Sequence, residues 1–152
     1  SSDVCSSDLP NIESEYRMGY DLTVELLREG QPVTAIAALN DMMAFGAMDA
    51  MKAAGISYGV DGDVILISFD ACTAGLEYVM SGDINADFEC NPLAAPFVED
   101  VIQQLESGST PDKEVYMVEH WYVNEDILSS ITVNGEEQEL TVVTQEIVDA
   151  QY

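Results

Sequence analysis

The sequence predicts an α/β fold in which helices cover a parallel sheet in three layers, and two observations support this. Residues 34–39 and 64–69 are two runs that are apolar on both faces, as is typical of buried parallel strands. Segments with helical spacing precede, separate and follow these runs. Repeated strand–helix units of this length indicate a parallel sheet flanked by helices.

Three helices are predicted before residue 90, each ending at a glycine that suits a left-handed C-cap. They span residues 13–29, 41–54 and 73–81, and the glycines are Gly30, Gly55 and Gly82. Asp41 and Thr73 are suited to cap the second and third helices, because their side-chain oxygens can accept from the free N–H groups of a first turn.

The next part of the chain adds weaker strand signals and one more helix. Residues 84–90 alternate between apolar and polar, which predicts a half-buried strand, and residues 115–118 predict another. Between them, Pro92 and Pro96 open a helix that ends at Gly108. The apolar stripe of this helix consists of Phe97, Val101, Ile102 and Leu105.

The C-terminal tail differs from the preceding strand–helix units, because it contains a hairpin signal. Residues 131–133 and 140–143 flank Asn134-Gly135, a dipeptide that favours a tight two-residue turn. We therefore expect a C-terminal β-hairpin beyond the parallel sheet.

Composition excludes several classes of function. The chain has 152 residues, of which 47% are hydrophobic, enough for one domain with a core. It contains 29 Asp and Glu against four Lys and Arg, a formal net charge of −25. A surface this negative repels phosphate backbones and anionic lipid, so nucleic-acid binding is not expected. The sequence also lacks the long unbroken apolar run that predicts a membrane span.

Residues 1–9, SSDVCSSDL, have no apolar period and resemble the in-frame translation of a sequencing adapter. We expect them to be foreign to the protein, the alternative being a natural flexible leader rich in Ser and Asp. Without Cys5 two cysteines remain, Cys72 and Cys90, and their spacing supports no structural zinc site. They follow adjacent predicted strands, so a disulfide is conceivable in an exported protein, but buried free thiols are the expected state.

Polar side chains follow three of the predicted strands, where open α/β sheets place their ligand sites. They are Asn40, Asp70, and either Glu89 or Cys90. Asn offers a donor and an acceptor, and an ionised Asp accepts from paired hydroxyls, so the set suits an uncharged, hydroxyl-rich ligand. The alternative is that these residues are loop caps that line up by coincidence, and spacing alone does not separate the two for the set as a whole. For Asn40 by itself, spacing favours a second helix-capping residue that binds no ligand.

Catalytic interpretations have less support. His120 and Cys90 would need an orienting third group to act as a nucleophilic pair, and the spacing supplies none. Asp70 and Glu89 would act as an acid–base pair only if both carboxyls shared a cleft at a set separation. The sequence contains no nucleophile elbow, metal-ligand set or phosphate loop. We therefore expect a protein that is not an enzyme and uses no cofactor and no metal.

From about residue 20 to residue 122 the chain carries, in order, TAIAALNDMMAFGAMDAMKAAG, VILISFD, MSGDINADFEC, NPLAAP and VEDVIQQLESG. This order and spacing resembles the C-terminal half of type I periplasmic sugar-binding proteins, the solute receptors of ABC importers, with the ribose, galactose and galactofuranose binders most similar. The resemblance implies that Asn40 and Asp70 hydrogen-bond the sugar. It places the third contact at Cys90, a poor hydrogen-bonding group, or at Glu89 if the strand end is rotated.

The resemblance also implies a domain organisation and a role. Residues 10–91 would form a Rossmann-like sugar-binding lobe, residues 92–118 would pack on a first lobe that precedes residue 10, and residues 119–152 would return through the hinge. The implied function is the substrate-binding component of a sugar ABC importer, which closes on a pentose or hexose and presents itself to a membrane permease. The alternative is the sugar-sensing domain of a LacI-type transcriptional regulator.

Two further expectations follow from the resemblance. A receptor of this kind would be periplasmic or extracellular, and a lipoprotein tethered to the membrane in a Gram-positive organism. Because the first lobe would be missing, we expect the chain alone to bind sugar weakly or not at all and to expose the stripe around Ile102.

Overall fold

The computed structural model describes residues 12–30, 32–127 and 129–151. Its helices are α1 (Ile12–Arg28), α2 (Asp41–Ala54), α3 (Thr73–Ser81), α4 (Ala95–Glu106) and α5 (Gln145–Ala150). Its strands are β1 (Ala35–Ala37), β2 (Ile65–Asp70), β3 (Ala86–Glu89), β4 (Trp121–Val123), β5 (Ser130–Val133), β6 (Glu136–Glu139) and β7 (Thr141–Val142). Within these residues no helix is long and apolar enough to cross a membrane.

The main sheet has the strand order β1-β2-β3-β4-β7. Strands β1, β2 and β3 run parallel, as predicted, whereas β4 runs antiparallel to β3, and β7 is parallel to β4. The register pairs Asp70 with Glu89, so β2 and β3 end at the same edge. The α/β fold with a mainly parallel sheet is therefore confirmed.

One face of this sheet is much better covered than the other. On the covered face, Leu66 of β2 is fully buried in a core that includes Met51 of α2 and Leu76 of α3. Side chains of a strand alternate between faces, and Ile65 and Phe69 of the same strand are 49% and 39% exposed. In the described part of the chain, helices therefore bury the face of Leu66 and leave the face of Ile65 open.

Helices α1 and α2 cross at two glycines. A Cβ atom on Gly46 would lie 2.1 Å from the carbonyl oxygen of Tyr16, and one on Gly19 would lie 2.1 Å from the carbonyl oxygen of Met43. Only a residue without a side chain permits this approach. The crossing holds α1 against the start of α2, next to the edge where β1 and β2 end.

The tail differs from the sequence prediction in its pairing. The turn at Asn134-Gly135 is confirmed, with φ angles of 54° and 88°. Strand β5 pairs with β6, however, and not with residues 140–143. Residues 141–142 form β7 instead and join the main sheet beside β4. The expected strand at residues 115–118 is wrong: these residues form no strand in the described chain, and Val115 and Val118 are 51% and 76% exposed, so their apolar side chains lack the burial that favours a strand.

Helix α4 forms as predicted, with Pro96 in its first turn, but none of its residues is buried. Phe97, Ile102 and Leu105 are 39%, 48% and 57% exposed. The apolar stripe is therefore exposed, as expected.

Candidate functional site

The carboxyl edge of the parallel strands brings the predicted site residues together. Asp70 ends β2 and Glu89 ends β3, and the two are partners in the ladder. Asn40 lies between β1 and α2, and Cys90 directly follows β3. Because β1 also pairs in parallel with β2, all four residues belong to one edge of the sheet.

Asn40 caps helix α2 and also contacts α1. Its Oδ1 accepts from the backbone N–H of Met43 at 2.9 Å, and its Nδ2 donates to Oε2 of Glu15 at 3.0 Å. The prediction that Asp41 is the cap is wrong, since Asn40 occupies the extended N-cap position and Asp41 turns into the core. Asn40 thus uses its acceptor within the helix cap and directs its donor to the carboxylate of Glu15.

Asp70 lies at a strained turn between β2 and α3. Its φ of 103° and the φ of 55° at Ala71 fall in the left-handed region that residues other than glycine rarely adopt. Partial burial raises the pKa of the Asp70 carboxyl, and the charges of Asp41 and Glu15 raise that pKa further. Backbone strain at an exposed acid is a feature that clusters at functional sites.

Glu89 and Cys90 differ in what they offer to a ligand. Glu89 is 8% exposed, and its Oε2 accepts from the backbone N–H of His120 at 2.9 Å and lies 2.8 Å from Nδ1 of the same residue. The imidazole of His120 also stacks on Tyr122. The thiol of Cys90 is free and exposed. Glu89 is therefore engaged with the segment that enters β4, whereas Cys90 faces solvent.

Two buried acids support the turn between β2 and α3. Asp41 is 2% exposed and accepts from the hydroxyl of Ser68 and from the backbone N–H of Cys72, the latter at 2.8 Å. Asp87 of β3 is fully buried and accepts from the backbone N–H of Ala71 at 3.2 Å. Burial raises the pKa of Asp87 to about 9, and the neighbouring charge of Asp41 and a hydrogen bond to it act in the same direction.

The same turn receives two further contacts. Cys72, rather than the predicted Thr73, is the N-cap of α3, and its Sγ accepts from the N–H of Gly75 at 3.4 Å. Burial raises the pKa of the Cys72 thiol to about 12, so this thiol is a poor nucleophile. Gln151, 80 residues further along the chain, donates from Nε2 to the carbonyl oxygen of Ala71 at 2.7 Å. Both thiols are free, as expected, but the expectation that both are buried is wrong, because Cys72 is half-buried and Cys90 is exposed.

The edge is acidic, and its chemistry is that of hydrogen bonding. Within the described residues, no group of three His, Cys, Asp or Glu side chains is arranged to hold a metal ion. Asp70 and Glu15 present carboxylate oxygens, and Asn40 presents an amide donor. Such a set can bind a neutral molecule with several hydroxyl groups and repels anions.

Glu15 is the residue of this edge that the sequence analysis missed. It lies 25 residues before Asn40, on a helix whose pattern gives no sign of a ligand site. The only signal is its spacing of four residues from Gly19, which places both on one face of α1. Since Gly19 lies at the crossing with α2, Glu15 is carried to the same edge as Asn40.

No family model and no curated protein matches the chain. Solved structures do match it. The periplasmic binding protein of the arabinose ABC transporter of Shewanella sp. ANA-3, bound to L-arabinofuranose, is 27% identical with a TM-score of 0.60, over 68% of this chain and 34% of that one. A myo-inositol-binding protein of Caulobacter is 27% identical with a TM-score of 0.60, over 72% of this chain and 37% of that one.

A third match is a Mycobacterium smegmatis protein in complex with β-D-fucofuranose, 27% identical with a TM-score of 0.61, over 70% of this chain and 34% of that one. The matched part of the chain therefore spans about a third of the length of these structures. The resemblance found in the sequence is confirmed at the level of the fold: the chain is built like a lobe of the type I periplasmic sugar-binding proteins of ABC transporters.

Proposed function

We propose that this chain is part of the substrate-binding component of a sugar ABC importer. The observation that carries the proposal is the placement of Asn40 and Asp70 at one edge of a fold whose structural neighbours hold furanose sugars and myo-inositol. A pentose or hexose would bind between this lobe and a first lobe, and the closed pair would engage a membrane permease. The Shewanella neighbour is a component of an ABC transporter and the Caulobacter neighbour is a binding protein, which supports this role over a LacI-type regulator and over an enzyme.

A periplasmic or extracellular location belongs to the same proposal. Its support is that the Shewanella neighbour is a periplasmic protein. In a Gram-positive organism, which has no periplasm to retain the protein, a lipid anchor would hold it at the membrane.

Recognition of the sugar would rest on charge-assisted hydrogen bonds. The Asp70 carboxylate would accept from two neighbouring hydroxyls, and Nδ2 of Asn40 would donate to a ring or hydroxyl oxygen in place of Glu15. Hydrogen bonds to charged groups contribute about 1.5–3 kcal/mol each, so one lobe offers only a few kcal/mol before the cost of immobilising the ligand. We therefore expect dissociation constants of about 1 mM or weaker for the chain alone.

A third contact would come from Glu89 or Cys90. Glu89 would have to give up its contacts with His120 to reach a sugar. Cys90 is already exposed, but its thiol is a weak donor and acceptor. Alkylation of Cys90 by iodoacetamide separates the two, because a sugar seated on Cys90 slows the reaction and one seated on Glu89 does not.

We also propose that residues 92–118 pack on the first lobe. The support is that α4 carries an apolar stripe and buries none of its residues against the rest of the described chain. An exposed apolar stripe of this kind marks an interaction surface.

The test is a nuclear magnetic resonance titration of the ¹⁵N-labelled chain with L-arabinose, D-allose and myo-inositol. We expect at least one of them to shift the side-chain amide of Asn40 and the backbone amides of residues 70–72. Asp70→Asn should weaken this response about tenfold, because it replaces a charged acceptor by a neutral one. Asp112→Asn is the matched control, since Asp112 is an exposed acid outside the sheet, and it should leave the response unchanged.

Two outcomes would contradict these proposals. Shifts with any of the three sugars at about 100 mM that lie elsewhere in the chain, with Asn40 and residues 70–72 unmoved, would overturn the assignment of Asn40 and Asp70. Micromolar binding in a calorimetric titration would refute the expectation that a second lobe is needed.

A further inference from the structure

Among the described residues, the two most deeply buried acids face each other beneath the turn that carries Asp70. Asp87 is fully buried and Asp41 is 2% exposed. A Cβ atom on Gly75 would lie 2.6 Å from Oδ2 of Asp41 and 2.6 Å from Oδ2 of Asp87, so the two oxygens converge on the same point above the first turn of α3. All four Lys and Arg side chains of the protein are exposed, and none is available to neutralise the pair.

The two carboxyls are not equally satisfied. Both oxygens of Asp41 accept hydrogen bonds, one from Ser68 and one from the N–H of Cys72. Asp87 accepts from the N–H of Ala71 through Oδ1, while its Oδ2 is buried without a donor. An ionised Asp87 would therefore hold a buried charge with one oxygen unsatisfied, next to a second acid. A proton on Oδ2 removes the charge and turns this oxygen into a donor toward Asp41.

We propose that Asp41 and Asp87 share one proton as a carboxylic acid–carboxylate pair, and that this proton keeps the turn at residues 70–72 in the conformation that presents Asp70. Asp87 is then a positioning residue, which acts on the edge through the backbone. Its importance for sugar binding rests on the proposed function, but the pair itself does not.

The groups that surround Asp87 favour the protonated form. Asp41 approaches from α2 and Asp70 from the end of β2, and both are acids whose charge raises the pKa of Asp87. Cys72 at the start of α3 has a pKa raised to about 12, and Tyr122 of β4 has a pKa raised from its usual value, both chiefly by burial. Both therefore stay neutral around pH 7 and offer no positive charge.

The pair is coupled to the turn by two backbone hydrogen bonds. Ala71 donates to Asp87 and Cys72 donates to Asp41, so the two acids hold successive N–H groups of a segment whose φ angles at Asp70 and Ala71 are positive. Such a backbone persists only where its surroundings impose it. If Asp87 loses its proton, the repulsion between the two carboxylates acts directly on the groups that hold this segment.

The direction of the pH dependence follows from the raised pKa. Unfolded Asp has a pKa of about 3.9, whereas Asp87 in the folded chain has a pKa of about 9. Its contribution to stability is complete below about pH 4, falls as the pH rises, and is lost above about pH 9. We therefore expect the melting temperature to fall by more than about 5 °C between pH 5 and pH 9.

The experiment follows the ¹³C carboxyl resonances of the wild-type chain and the amide resonances of residues 70–72 as the pH is raised. We expect a carboxyl of the pair to titrate well above pH 7, and the three amides to shift with the same midpoint. Titration of both carboxyls below about pH 5 would overturn the proposal. So would amides of residues 70–72 that do not follow the titration.

The variant Asp87→Asn provides a second test of the shared proton. Its amide can accept from Ala71 through Oδ1 and donate to Asp41 through Nδ2, so it imitates the protonated acid permanently. We expect its melting temperature to lose the decline between about pH 5 and pH 9 that the wild type shows. Asp112→Asn is the control and should keep that decline. A variant Asp87→Asn that declines like the wild type would count against the shared proton. No sugar is used here, so failure of the sugar titration leaves this result standing.

Discussion

Helices α2 and α4 show how differently two apolar stripes of similar length end up. They have 14 and 12 residues, and both repeat apolar side chains at helical spacing. Seven residues of α2 are buried against α1 and the sheet, whereas no residue of α4 is buried. An apolar stripe therefore predicts that a helix forms. How much the stripe stabilises this chain depends on whether another element packs against it.

The largest expected contrast between the two regions comes from a matched pair of leucines. Leu76→Ala in α3 removes a fully buried side chain from the core that α2 also lines, and it should lower the free energy of unfolding by about 2–5 kcal/mol. Leu105→Ala in α4 removes a side chain that is 57% exposed and should change it by less than about 0.5 kcal/mol. Urea denaturation of both variants measures the difference. Equal losses would show that α4 is packed in solution.

A smaller effect, with a diagnostic sign, is expected at the crossing of α1 and α2. On helix propensity alone, Gly46→Ala should stabilise α2 by about 0.5–1 kcal/mol. The carbonyl oxygen of Tyr16 leaves no room for the added Cβ, so we expect a loss of about 1–3 kcal/mol instead. Denaturation monitored by circular dichroism reads the sign directly. A stabilised variant would contradict the close crossing.

The smallest contrast compares two asparagines. Nδ2 of Asn124 donates to the carbonyl oxygens of Val79 and Met80 in the last turn of α3, and the Val79 oxygen also accepts from the N–H of Gly82. Asn124→Ala should cost about 1–2 kcal/mol, because the last turn of α3 loses the side-chain donor shared by these two oxygens while Val79 keeps its bond from Gly82. Asn91 accepts from the N–H of Leu93 at an exposed turn, where water can replace it. Asn91→Ala should lower the free energy of unfolding by less than about 0.5 kcal/mol in the same denaturation assay. A larger loss would indicate that this turn is shielded from water in solution.

Much of the fold could be predicted because local signals agreed with the tertiary structure. The apolar runs of β1 and β2, the helices between them and the glycines that end α2 and α3 each follow from short stretches of sequence. Strand β4 and the pairing of β7 could not be predicted in this way, since two or three residues carry no period of their own. Their partners lie in distant parts of the chain.

The shared edge of the candidate site residues was predicted, but their contacts were not. The polar residues at the ends of β1, β2 and β3 do lie at one edge. Asn40 and Asp41 are adjacent and both able to cap a helix, so only the backbone conformation shows which one does. Apolar side chains of a strand usually face the core and polar ones face solvent. In β3 this is reversed, because Asp87 and Glu89 are buried while Ala86 and Phe88 lie on the open face. Alternation indicates two faces but does not show which one is covered.

The contact between Gln151 and Ala71 has a consequence for how the protein is made. The turn that carries Asp70 is complete only when a side chain 80 residues further along reaches it. At about 5–20 residues per second, a ribosome needs roughly 4–16 s to add that many residues, and the exit tunnel delays the contact further. During this interval the strained turn lacks one of its hydrogen-bond partners, so we expect it to reach its final conformation only after residue 151 has left the ribosome.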